Sequence, residues 1–136
     1  RDALLSRLAA GVPFLGICLG LQALFEDSEE APGLRGLGLF AGRVRRFPED
    51  ARVPHMGWNQ LEARPGARLL AGAGERPYVY FAHSYYAPLC AATAAACSYA
   101  APFTALLERD NIFGVQFHPE KSGNLGLKIV KNFIEI

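Results

Sequence analysis

The chain has 136 residues and is short of several things at once. It carries one Met, one Trp, three cysteines with no CxxC pair among them, and almost no charge imbalance, 14 Lys and Arg against 13 Asp and Glu. A formal net charge of +1 leaves no field to attract nucleic acid or an anionic membrane surface, so neither is expected as a partner. Cys18, Cys90 and Cys97 are an odd set without metal-ligand spacing. That excludes a complete disulfide framework and a zinc site, points to free thiols in a reducing cytoplasm, and leaves no metal and no cofactor expected. No apolar run approaches the roughly 20 residues of a membrane span, and no signal-like segment opens the chain. An initiator Met is missing too: "RDALLSRLAAG" begins inside an amphipathic pattern, with Leu4, Leu5 and Leu8 on one helical face, and so reads as a cut.

What is there is a globular composition, 51% hydrophobic with 20% charged residues, at the length of one domain. Gly11 is placed to close the opening helix, and "VPFLGIC" reads as a strand apolar on both faces, as in a parallel sheet covered by helices. Residues from Leu19 to about Glu26 read as the next helix, and "DSEEAPGLRGLG" as a surface loop whose acids are solvated. "GRVRRF", "YVYFAHSYY" and "AAACSYA" have strand composition, while "FTALLERDNIFGVQFHP" reads as two strands turning at Asp110 and Asn111. "ARPGARLLAGAGERP" is a connector, and "SGNLGLKIVKNFIEI" a closing helix with Leu127, Val130 and then Phe133 or Ile134 toward the sheet.

Cys18 stands between Gly16 and Gly20 at the end of the first strand. A sharp strand-to-helix turn needs close backbone approach, and glycines remove the Cβ atoms that obstruct it. The helix opening at Leu19 then aims free N–H groups at the side chain, which lowers the thiol pKa and offers the Leu19 N–H to an oxyanion. Downstream, "GVQFHPEKS" supplies a base. Pro119 disfavours the α conformation for His118, and in an extended segment His118 and Glu120 share a face, so the carboxylate can hold one imidazole nitrogen while the other faces a thiol. Cys18, His118 and Glu120 form a candidate triad.

With "GICLGLQ" and "FHPEKS" in place, and "PHMGWN" and "YFAHSYY" between them, the sequence resembles the class I glutamine amidotransferases over essentially all of its 136 residues. Within them it looks like the glutaminase subunits of imidazole glycerol phosphate synthases. The resemblance implies a three-layer, flavodoxin-like α/β fold, with a mostly parallel sheet, helices on both faces and an added β-rich section. It also implies hydrolysis of L-glutamine and delivery of ammonia to a cyclase subunit in a heterodimer of histidine biosynthesis. By motif, Cys18 is the nucleophile, His118 the acid and base, and Glu120 the residue that orients His118. Leu19, Gln22, His83, Ser84 and Tyr85 would hold substrate, and Met56, Trp58, Asn59 and Lys121 would face the cyclase. Taken without the resemblance, His83 is a satisfied core histidine, Trp58 a packing residue, and Arg43, Arg45 and Arg46 a solvated strand face. Family members carry strands and a glycine-containing loop ahead of the elbow, so residues 1–136 are expected to form a partial domain lacking its N-terminal strands, with exposed sheet edges and a missing oxyanion donor. Two other readings stay open here. One is a cysteine hydrolase on a related scaffold, in some of which a His follows the nucleophile where Leu19 stands; the other is a partner-binding module with an idle triad.

Overall fold

Fifteen short elements arise from this alternation of apolar runs and turns. In the computed structural model, which describes residues 1–136, helix α1 (Asp2–Ala9) leads to strand β1 (Phe14–Ile17), helix α2 (Leu19–Gln22) and strand β2 (Phe25–Ser28). Strands β3 (Phe40–Arg46), β4 (His55–Gln60), β5 (Glu62–Ala63), β6 (Tyr78–His83), β7 (Tyr85–Tyr86), β8 (Thr93–Tyr99), β9 (Ala101–Arg109) and β10 (Ile112–Val115) follow, and α3 (Gly123–Ile134) closes the chain. Two 3-10 turns, Arg68–Leu70 and Pro119–Lys121, complete the set. The strands form a five-stranded sheet in the order β1-β10-β9-β8-β5, a three-stranded sheet β2-β3-β7 and a two-stranded ribbon β4-β6.

Strand β10 shows the layering, because successive side chains point to opposite faces. Ile112 joins an apolar cluster with Leu8 of α1 and Leu21 of α2, and Gly114 on the same face lies under Leu21. Phe113 and Val115 join the other cluster, with Ile129 of α3. Helices therefore cover both faces, the three-layer α/β arrangement expected. The sheet is mixed: parallel pairing is confined to β1 with β10 and β2 with β3. The β-rich section supplies antiparallel pairs, since the tight turn at Asp110 and Asn111, with Asp110 at φ 54, lets β9 and β10 pair only antiparallel.

Three local expectations change. The helix after Cys18 ends at Gln22 rather than near Glu26. Beyond it the carbonyls of Ala23, Leu24 and Phe25 accept from the N–H groups of Leu37, Leu39 and Gly38, at 2.8, 2.9 and 3.1 Å, so tertiary pairing takes the bonds that continuing the helix would have used. The acidic loop accordingly begins as β2, which pairs in parallel with β3. In α3 the buried face is Gly126 and Ile129, with Leu125 and Phe133 packed partly against the core, while Leu127 and Ile134 are 70% and 72% exposed. The reason is Gly126: its missing Cβ lets the helix lie against the Pro119 carbonyl and sets which face turns inward.

Candidate active site

Cys18 sits at the junction of β1 and α2 with φ 54 and ψ −103, a backbone conformation that non-glycine residues rarely hold. Such strain, of order 1–3 kcal/mol, persists only where surrounding structure imposes it. Here the Cys18 N–H donates to the Val115 carbonyl at 2.8 Å, which extends the parallel pairing of Ile17 with Val115 by one residue. Of the two flanking glycines only Gly16 is sterically required. A Cβ on it would lie 2.5 Å from the Gly20 carbonyl carbon and oxygen, whereas a Cβ on Gly20 would meet nothing within 4 Å.

The thiol pKa differs from expectation. Burial raises it above its ordinary value, and the charges of Glu30 and Glu120 add to the rise, outweighing the Leu19 N–H and the Gln116 amide, which lower it. A four-residue helix offers too little dipole to reverse that.

His118 is extended as anticipated, at φ −100 and ψ 102, with its N–H on the Tyr80 carbonyl at 2.9 Å. Its Nδ1 meets Glu120 Oε1 at 2.9 Å, so Nε2 is the nitrogen left for proton transfer. Glu120 lies in the 3-10 turn rather than in a strand, so the pair closes across the turn that Pro119 starts. Cys18, Leu19, Gln22, Met56 and the segment His83–Tyr85 line one cleft. Glu30, read from sequence as merely solvated, lines it too. No sequence signal marked Glu30, because only the fold of its loop brings it there.

His83 lines the cleft but has both ring nitrogens engaged. Nδ1 donates to the Tyr85 carbonyl at 2.8 Å, and Nε2 accepts from His55 Nδ1 at 2.9 Å. His55 Nε2 in turn faces Asn59 Nδ2 at 3.3 Å. Both imidazoles are buried and desolvation pushes each down to about 4, so both are neutral at physiological pH. His83 is thus the satisfied core histidine of the plain reading, and Asn59 braces it through His55. On the opposite face of the β4-β6 ribbon Met56 and Trp58 are 63% and 56% exposed, which overturns the reading of Trp58 as buried. Trp58 stands beside Tyr80 with ring centroids 6.1 Å apart, and Lys121 Nζ lies 5.8 Å from the Tyr80 ring. Strand alternation places Asn59 away from that face.

Residues 2–136 match the family model Glutamine amidotransferase class-I. The chain belongs to this family. Among curated relatives it is 53% identical to the imidazole glycerol phosphate synthase subunit HisH of Methanothermobacter thermautotrophicus, across 100% of this chain and 69% of that protein. To the subunit of the same name from Deinococcus radiodurans it is also 53% identical, across 91% of this chain and 60% of that one. The chain thus spans between three fifths and seven tenths of the length of these curated relatives. A solved glutamine amidotransferase superposes with a TM-score of 0.69 at 20% identity, over 98% of this chain and 66% of that one. The glutaminase domain of Trypanosoma brucei CTPS with bound acivicin superposes with a TM-score of 0.66 at 15% identity, over 98% and 64%. At those identities the two structures speak for the fold alone, and they share it with this amidotransferase chain.

Proposed function

We propose that the chain hydrolyses the side-chain amide of L-glutamine and passes ammonia to the cyclase subunit of an imidazole glycerol phosphate synthase, in histidine biosynthesis. The observation that carries this is the strained Cys18 elbow opening into a cleft, with the His118–Glu120 pair near enough for the Glu120 charge to bear on the thiol. The names of the relatives support the pathway and the partner.

With the thiol protonated at rest, His118 Nε2 takes its proton as Sγ bonds to the amide carbon, and the carbonyl electrons move onto oxygen beside the Leu19 N–H. The oxyanion collapses, the C–N bond breaks, and His118 returns the proton to the departing ammonia, leaving a thioester. Water then attacks: His118 takes its proton, the C–O bond forms, the C–S bond breaks, and the proton returns to sulfur as glutamate leaves. Glu120 keeps Nδ1 protonated and pairs with the imidazolium in both halves. Gln22 and Glu30 in the cleft suit the polar amino-acid end of glutamine, the carboxylate matching its ammonium. The exposed face of Met56, Trp58 and Tyr80, continuing to Lys121 beside Glu120, is the proposed cyclase contact.

The test is reaction with 6-diazo-5-oxonorleucine, an electrophilic glutamine mimic, followed by intact mass and peptide mapping. A single adduct on Cys18, suppressed by excess glutamine and lost in His118→Ala, is expected. Labelling spread over Cys18, Cys90 and Cys97 regardless of glutamine would overturn the reading.

A further inference from the structure

Gln116 is a fully buried polar residue that neither the triad nor the cleft lining uses. It follows directly on β10, and the register that pairs Ile17 with Val115 sets it opposite Cys18. Its Nε2 lies 3.5 Å from Cys18 Sγ. Its Oε1 accepts from Gln22 Nε2 at 2.9 Å, and the same Gln22 nitrogen donates to the Tyr85 carbonyl at 2.9 Å. No buried side-chain nitrogen or oxygen in the chain lacks a partner, so this network is complete.

The direction of the network follows from one atom. The Tyr85 carbonyl can only accept, and it already takes the His83 Nδ1 proton. Gln22 must therefore turn its NH2 toward Tyr85, and the second hydrogen of that NH2 meets Gln116, which must answer with its oxygen. The Gln116 NH2 is then obliged to face the sulfur. Flipping either amide would set oxygen against oxygen or leave a buried donor without an acceptor.

We propose that Gln116 is the positioning residue of the Cys18 nucleophile, holding Sγ in place and presenting it an N–H whose direction is imposed by the Tyr85 carbonyl through Gln22. This rests on the reading of Cys18 as the nucleophile. A donor aimed at sulfur favours thiolate over thiol, against the burial and the Glu30 and Glu120 charges that oppose ionisation. The charges that bear on the sulfur are those two carboxylates, His83 lines the same cleft, and His118 acts on His83; the variants below alter none of them. Gln116 makes Gln22, in the cleft, and the sulfur parts of one bonded unit, so a ligand that reorients Gln22 also acts on the nucleophile.

The experiment uses the full chain and its Gln116→Met and Gln22→Met variants, which keep bulk and remove the amides. Each is alkylated with iodoacetamide across pH 7–11.5, with Cys18 and Cys97 quantified by peptide mapping. The thiolate displaces iodide, so the rate reports the thiolate fraction and needs no turnover. In Gln116→Met the inflection for Cys18 moves up by about one pH unit, with a roughly tenfold slower rate at pH 7, while buried Cys97 stays protected. Gln22→Met moves it the same way by less, since Gln116 is then free to turn. An inflection unchanged in Gln116→Met with Cys97 protected overturns the proposal. Should that variant expose Cys97, Gln22→Met decides alone, and an unmoved inflection there overturns it equally. If the variants show these shifts yet wild-type Cys18 does not react with 6-diazo-5-oxonorleucine, the glutaminase reading fails and the role of Gln116 stands.

Discussion

At the elbow, two glycines that look equivalent in sequence carry different weight. A methyl on Gly16 would drive into the Gly20 backbone at 2.5 Å, and neither strand nor helix can yield there without moving Cys18. Gly16→Ala is expected to destabilise the chain by about 1–3 kcal/mol or more and to abolish selective labelling of Cys18. Gly20→Ala, in open space, is expected to leave labelling intact; comparing urea midpoints and labelling rates of the two variants checks this. Cys18 offers a second comparison, since its φ of 54 strains any residue with a Cβ. Relief of about 1–3 kcal/mol in Cys18→Gly outweighs the roughly 0.4–1 kcal/mol that glycine loses by loosening the unfolded chain. Cys18→Gly should therefore melt above Cys18→Ala, both being inactive. The reverse order would show that the strain is not real.

The β4-β6 ribbon acts as an element with two unlike faces. Inward, His55 and His83 are kept neutral by burial, within a run of hydrogen bonds ending on the Tyr85 carbonyl, and each titrates at about 4 in the folded chain against about 6.5 unfolded. Between those values the unfolded chain binds more protons. Stability is therefore fully present above about pH 6.5 and is lost as pH falls toward 4, by at most about 1.4 kcal/mol per pH unit for each histidine. The window from pH 6.5 to 5 is diagnostic, because most carboxylates have not yet titrated there. Urea unfolding at half-unit intervals measures it, and a flat profile across that window would contradict the buried pair. The ribbon's chemistry was only half legible: alternation in "PHMGWNQ" is plain, but which face turns inward depends on Phe47, Phe103 and Tyr99 closing over His55.

Across the whole molecule the outward face of that ribbon continues through Tyr80 to Lys121, next in the chain to Glu120. The proposed docking of a cyclase there makes Trp58 its anchor, as large exposed aromatics commonly are. Trp58→Ala is expected to weaken binding to a cyclase subunit by about 2 kcal/mol or more, read by titration calorimetry, with Cys18 alkylation of the free chain unchanged. The five-stranded sheet also ends on β1, an edge strand with Ile17 and the neighbouring Val12 about 40% exposed. Concentration-dependent self-association is expected from that edge. Sedimentation velocity giving one monomeric species at every concentration would count against it.

Motif order and local chemistry were enough to determine the elbow at Cys18, the His118–Glu120 pair, the closing helix and the family, because each depends on neighbours within a few residues. Pro119 restrains His118 wherever the strand lies, and glycine at position 16 permits a sharp turn in any sheet. Glu30 beside the thiol, the early end of α2, the inward turn of Asn59 and the amide relay from Tyr85 through Gln22 and Gln116 to Cys18 were decided only by tertiary structure. Each joins groups a dozen or more residues apart or depends on burial, the largest influence on the Cys18 thiol, and burial is a property of the packed molecule that no spacing along the chain encodes.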